Sequence, residues 1–383
     1  VIAYSRQSIS EEDIAEVVRV LRSDFLTQGP EIPRFESTVA AYCGARHGIS
    51  MASGTAALHL ACLALGLGPG DWLWTSPITF VASSNCALYC GAKVDFVDID
   101  PATYTMSVEA LAEKLALAKK ENRLPKIVVP VHFAGQSCAM KEIHALAQEY
   151  GFKILEDASH ALGATYLGKP VGTCEYSDAA VLSFHAVKMI TTAEGGMVVT
   201  NDDRIAADIA RLRTHGITRD AAEMRNPSEG GWYYEQIDLG YHFRITDVQA
   251  ALGTSQMKSL ERFVTRRREI AMRYDDLLAD SGYKLPHQDP ATNSSWHLYA
   301  IQCPTAEQRK PIFDALRSGG IGVNVHYIPV HFQPYYQDMG FTRGQFPNAE
   351  SYYSRAVSIP IHQLLTDTQV EMIADRLKQL ADV

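Results

Sequence analysis

Hydrophobic and polar positions switch between two periods along most of this chain. Ile14, Val17, Val18 and Leu21 recur at helical spacing, which predicts one apolar face on an opening helix. Ser10 precedes it as a cap, and Glu11, Glu12 and Asp13 suit the positive helix end. The next segment, FLTQGPEIPRF, reads as a loop. Short apolar runs mark candidate strands at 47–52, 72–75, 94–97, 127–131, 153–156, 179–184 and 196–200, with helical patterns around 55–65, 80–90, 107–120 and 139–150. Strands separated by helices predict an α/β fold with a largely parallel sheet and helices on both faces. Helical pattern resumes at 247–279 and leads into a smaller C-terminal α+β part. There WHLYAIQ and VNVHYIP read as strands and 367–381 as a closing amphipathic helix.

Length changes this picture. At 383 residues the chain is too long for one ordinary core, so two domains are expected, 1–255 and 256–383. The net charge of −9 argues against nucleic acid as the main partner, though a local pocket can still be positive. Seven cysteines without a CxxC pair read as buried free thiols of a reducing compartment. No basic leader precedes an apolar core, and no run approaches the ~20 apolar residues of a membrane span. The expectation is a cytoplasmic protein, with no membrane span and no metal.

Ligands of open α/β sheets bind beyond the carboxyl ends of the strands, and the suggestive residues fall there. An apolar run ends at Ala52, Ser53-Gly54-Thr55 turns, and a helix follows. Such a helix start can hold a phosphate, and Gly54 would let the backbone come close; it can equally be an ordinary capped helix. The next run delivers Glu156 and Asp157, either a partner for a cationic ring nitrogen or a helix cap. A further run ends at Ser183, with Lys188 five residues on in an apolar stretch. A lysine desolvated in a closed site can form a Schiff base. A phosphate seat, a ring-nitrogen partner and a Schiff-base lysine together are what pyridoxal phosphate (PLP) requires.

These segments resemble the nucleotide-sugar aminotransferases of the DegT/DnrJ/EryC1/StrS group. The likeness runs from DFLTQGP through SGTAALHLACLALG, PITFVAS, VHFAGQSCAM, ILEDASHALGA and SFHAVKMITTAEGGMVVTND to LGYHFRITDVQAALG, VHYIPVH and SIPIHQLLTD. It implies the type I PLP aminotransferase fold and a homodimer with shared active sites. Lys188 would bind the cofactor and carry protons, Asp157 would hold the ring nitrogen, and Phe80 would stack on the ring. Thr55 and Ala56 would offer amides to the phosphate and Ser183 its hydroxyl, with His160 at the ring's oxygen edge. His242 stands where the group commonly has Asn, which reaches the partner's phosphate. Phe25, Thr27 and Gln28 would lie at the site mouth, and His326 and Tyr327 would approach the substrate.

The implied reaction moves an amino group from L-glutamate, leaving 2-oxoglutarate, to C4 of a UDP-linked 4-keto-6-deoxy-N-acetylhexosamine. Siblings acting at C3, or on dTDP- or GDP-linked sugars, share most of these motifs. Related dehydratases carry His at the lysine position, whereas Lys188 is present here. A regulator built on this fold would carry a basic DNA-binding appendage, and none is seen. Arg244 either meets an anion or braces against Asp247, and TRRRE at 265–269 reads as a solvated helix face.

Overall fold

The computed structural model describes residues 1–381. The seven expected strands are β1 His47–Met51, β2 Trp72–Thr75, β3 Lys93–Phe96, β4 Ile127–Val129, β5 Lys153–Asp157, β6 Ala179–Ser183 and β7 Gly196–Thr200. They form one sheet in the order β1-β7-β6-β5-β4-β2-β3. Neighbours from β6 to β3 pair in parallel, and only β7 runs against the others.

The strand pleat sends alternate side chains to two helical layers. Ile127, Val129 and Leu155 pack under α3 (Gly54–Ala64) and α4 (Ala82–Tyr89). Val128 and Ile154 meet α5 (Val108–Lys120) and α6 (Met140–Tyr150) on the other face. A further helix, α7 (Asp203–Leu212), packs on β1 and β7 at that end of the sheet.

Two helices depart from the sequence pattern. In α1 (Glu11–Leu21) the apolar stripe does not meet this chain's core; Ile14 and Leu21 are exposed. The helix is held instead by buried Val20 and Asp13, whose carboxylate accepts from Gln256 Nε2 at 2.7 Å. The expected loop FLTQGPEIPRF contains the start of α2 (Glu31–Cys43). Pro30 offers no side-chain cap. The cap comes from Asp247, which accepts from the amides of Gly29 (2.8 Å) and Glu31 (2.9 Å). A cap supplied from more than 200 residues away has no local signature.

The long helical pattern at 247–279 is two helices, α8 (Asp247–Met257) and α9 (Leu260–Leu278). Leu260 and Val264 still pack in the first lobe beside α2, while Ile270, Tyr274 and Leu278 enter the second core. That core also takes Ile2 from the chain start. It packs an antiparallel pair, β8 (Tyr299–Gln302) and β9 (Ala356–Ile359), under α10 (Ala306–Ser318) and α11 (Asp367–Ala381). VNVHYIP is not a strand. Around it Ile321 bridges Ile2 and Asn324 bridges Ser358, so the segment changes neighbour before a ladder can form.

The TRRRE segment is not a solvated face. Arg267 is fully buried, and its Nη1 donates to the carbonyls of Trp296 (3.1 Å), His297 (3.2 Å) and Ile361 (3.0 Å). Arg268 reaches Ser294 and Gly163, and Arg266 reaches Asp367. These guanidinium groups tie α9 to the loops that carry the second lobe. Arg267→Ala leaves buried carbonyls unpaired, so it should destabilise the protein by about 3 kcal/mol or more. Denaturant unfolding of the variant measures this, and a loss below about 1 kcal/mol contradicts the tie.

Candidate active site

A cavity of about 500 Å³ opens at the carboxyl edge of the sheet, between the two lobes. The starts of α3 and α4, the ends of β5 and β6, and the loop bearing Lys188 form most of its wall. Tyr4, His297, His326 and Tyr327 close it from the second lobe's side.

Its floor is Asp157. The pleat of β5 turns Asp157 into the cavity, while Glu156 is absent from the lining. The choice between two adjacent carboxylates is thus made by strand geometry. Asp157 is buried; its Oδ2 accepts from Ser83 Oγ at 2.6 Å and its Oδ1 from the Ser159 amide at 3.1 Å. Thr79 Oγ1 lies 2.7 Å from Ser83 Oγ. Since the Ser83 proton goes to Asp157, Thr79 donates to Ser83. One turn before Ser83, Phe80 stands 60% exposed on the cavity wall, its ring 6.4 Å from that of Tyr327.

The start of α3 forms one end of the cavity. Ser53 caps the helix, its Oγ accepting from the Ala56 amide at 3.1 Å. That commits the Ala56 amide, which was expected to face a phosphate, and Ala56 does not line the cavity. Gly54 and Thr55 do, at the positive end of a helix whose first amides have no partner within it. Glycine allows close approach at two contacts, tight at Gly54 and obligatory at Gly196. A Cβ on Gly54 would stand 3.2 Å from Ser183 Cβ, and one on Gly196 would stand 2.4 Å from the Ser53 carbonyl oxygen. Close packing of α3 on β6 and β7 thereby brings the Ser183 hydroxyl beside the helix start.

Lys188 hangs on a loop closed by main-chain bonds. Phe184 N donates to Gly195 O, and Thr192 N to Phe184 O, each at 2.9 Å. The lysine is half-buried, with its amine inside the cavity. Burial lowers its pKa to about 8, against a smaller opposing pull from Asp157. His160 is packed between the rings of His297 (4.4 Å) and Tyr327 (6.1 Å), and its Nε2 lies 3.2 Å from Tyr327 Oη. Burial, and then Lys188, hold His326 at about 4. Burial also drives His160 and His297 well below the usual imidazole range. These rings are neutral at pH 7.

Other candidates lie elsewhere. Phe25, Thr27 and Gln28 are exposed and outside this chain's cavity. His242 is also exposed and outside it, stacked on His215 at 5.4 Å. Asp247 is taken by the α2 amides, so Arg244 does not brace against it and has no ion pair among the described residues. His326 contacts Ser358 and His331 contacts Glu350, and no group of metal-ligating side chains gathers among the described residues. Sequence reading missed Tyr4, Thr79, Ser83 and His297. Ser83 had a signal, three residues after Phe80 on a helix start; Tyr4 lies outside the regular elements and had none.

Residues 7–378 match the model of the DegT/DnrJ/EryC1/StrS aminotransferase family. The chain belongs to this family. It is 37% identical, over 98% of its length and 96% of the relative's, to the UDP-4-amino-4,6-dideoxy-N-acetyl-beta-L-altrosamine transaminase of Campylobacter jejuni. It is 39% identical to the spore coat polysaccharide biosynthesis protein SpsC of Bacillus subtilis, covering 99% and 97% of the two chains. Among solved structures, Helicobacter pylori PseC, an aminotransferase of pseudaminic acid biosynthesis, superposes with a TM-score of 0.91 at 32% identity, covering 100% and 99%. The sugar-aminotransferase candidate Spr1654 of Streptococcus pneumoniae, solved in its PLP form, superposes at 0.89 with 29% identity, covering 100% and 98%. This family member is a sugar aminotransferase, and it has the mostly parallel seven-stranded sheet expected of that fold. No described helix is long and apolar enough to cross a membrane.

The donor set fits PLP: amides and a hydroxyl at one end of the cavity, a buried carboxylate on its floor, and a desolvated amine on its wall. A pKa near 8 leaves roughly a tenth of Lys188 uncharged at pH 7, far more than for a free lysine. The amine gains competence as pH rises through 8. The rate at which cofactor-free protein captures PLP should therefore rise across pH 7–9 and then level off. Stopped-flow absorbance measures it, and a rise continuing towards pH 10.5 shows that Lys188 is not desolvated.

Proposed function

We propose that this chain binds PLP through Lys188 and transfers an amino group from L-glutamate to C4 of a UDP-linked 4-keto-6-deoxy-N-acetylhexosamine. The observation that carries this reading is a desolvated lysine amine facing a cavity floored by a buried aspartate. The C. jejuni and H. pylori likenesses support the sugar class. When bound, PLP supplies an electron sink for breaking the C–H bond next to the transferred nitrogen. This chain's residues supply the rest. Gly54, Thr55 and Ser183 seat the phosphate, and Asp157 holds a proton on the ring nitrogen. Phe80 covers one ring face, and His160 stands neutral at the edge. The freed Lys188 amine takes a proton from the substrate carbon and returns it one position away, a general acid–base role. His326 and Tyr327 guard the approach from the second lobe.

The same reading places the protein in the cytoplasm as a homodimer. Among the residues lining the cavity, Lys188 is the one Lys or Arg, and the lining imidazoles other than His185 are held neutral. A cofactor phosphate and a nucleotide diphosphate together bring several negative charges. Exposed His242 and half-buried Arg244, which has no ion pair among the described residues, lie outside this cavity and suit a second copy's site. The uncovered apolar stripe of α1 gives that copy a face to bury.

Purified protein loaded with PLP should show a visible band that L-glutamate bleaches and the UDP-4-keto sugar restores. If only a dTDP- or GDP-linked ketone, or a C3 ketone, restores it, the transaminase stands and the sugar class changes. Lys188→Ala should lose the band and at least about 10⁴-fold of turnover, since one group serves as anchor and proton carrier. Retained activity in that variant refutes the assignment.

A further inference from the structure

We infer that Glu156, on the face of β5 turned away from the cavity, is an ionised positioning residue that strengthens the hold of Asp157 on a cationic ring nitrogen. The inference rests on the PLP reading above. Glu156 is buried, and its Oε2 lies 2.6 Å from His132 Nε2. A buried Glu–His contact ordinarily reads as an ion pair in which the charges cancel. The tautomer excludes that here. The Cys138 amide donates to His132 Nδ1 at 3.1 Å, so Nδ1 carries no proton. Burial lowers the His132 pKa while its contacts with Cys138 and Glu156 raise it, to about 10. But the Cys138 contact is a main-chain N–H donating to Nδ1 and so disfavours the imidazolium, which leaves the proton on Nε2, given to Glu156, and the ring neutral. Ser177 Oγ donates to the other carboxylate oxygen, Oε1. A carboxylate that accepts at both oxygens from neutral donors keeps its charge.

Among the described residues no Lys or Arg pairs with Glu156. The thiols of Cys43 and Cys174 lie near it, both pushed up by burial first and then by Glu156. Lys169 borders the same small hollow, but its amine is exposed and paired with Glu175 at 2.9 Å. Glu156 and Asp157 are consecutive, on opposite faces of one strand. Main-chain bonds fix the strand end, with Asp157 N donating to Pro130 O (2.9 Å), His132 N donating to Asp157 O (3.0 Å) and Glu156 paired with Ala180 of β6. The strand end therefore carries a second negative charge behind the first, poorly screened by protein. Its field favours a positive charge in front of Asp157. Glu156 touches no substrate; it acts through Asp157.

The test follows the protonation of the cofactor itself, by ¹⁵N NMR of protein loaded with ring-labelled PLP across a pH series. Glu156→Gln can keep both contacts, accepting from His132 and donating to Ser177, while removing the charge. The ring-nitrogen pKa should fall by about one unit, with kcat lowered roughly tenfold and KM for glutamate little changed. Ser177→Ala removes a neutral donor and leaves the charge, so the ring proton should be held as firmly as in the parent. That variant keeps the inference testable if the Gln protein does not fold. An unshifted ring nitrogen in Glu156→Gln, or a Ser177→Ala protein that loses the ring proton, overturns the inference while leaving the aminotransferase reading intact. A parent protein that binds no PLP overturns both.

Discussion

The site depends on one electrostatic balance, between the buried carboxylate of Asp157 and the desolvated amine of Lys188. Each would be costly to bury charged and alone. Asp157 is compensated by the Ser83 hydroxyl and the Ser159 amide. Lys188 is pushed towards its neutral form by burial and partly restrained by Asp157. The resulting Lys188 pKa near 8 is set by burial, which lowers it, against the smaller opposing pull of Asp157. The neighbouring imidazoles belong to the same balance. Because His160, His297 and His326 stay neutral, they add no positive charge beside Lys188 and do not compete for its proton.

The fold brings these groups together by strand order and close packing. β5 and β6 are neighbours, so Asp157 and the Lys188 loop open from adjacent strand ends. Glycine at positions 54 and 196 lets the α3 turn settle onto the same edge. The second lobe then completes the wall with Tyr327 and His297. Its placement relies on Arg267, whose hydrogen bonds run to the carbonyls of Trp296 and His297 themselves. A buried guanidinium bonded through Nη1 to three carbonyls makes stability and site geometry depend on the same contact.

What was legible in the sequence was local. The seven strands of the main sheet show their apolar runs directly, and their observed ends lie within two residues of those expected. Lys188, Asp157, Gly54 and Ser183 were legible because each sits where a strand or turn delivers it. What was hidden was set by distant partners. The α2 start is capped by Asp247. Arg267 looks like surface charge until its three carbonyl partners are assembled. The Ala56 amide looked free for a phosphate because the Ser53 side chain that takes it is a rotamer choice. The α1 stripe was legible as apolar, but not what covers it: Ile14 and Leu21 stay exposed on this chain.

That last difference bears on the assembly. A cavity of about 500 Å³ has room for the cofactor and the reacting end of a substrate, but its wall offers little to a diphosphate. Phe25, Thr27, Gln28 and His242 are polar or aromatic groups exposed on ordered, hydrogen-bonded segments, yet they face away from the cavity of their own chain. The loop holding the first three is pinned at both ends: Asp247 N donates to Leu26 O, and Asp247 accepts from the Gly29 amide. The cavity thus has few cations of its own, while Phe25, Thr27, Gln28 and His242 stay unused by the cavity of the chain that carries them.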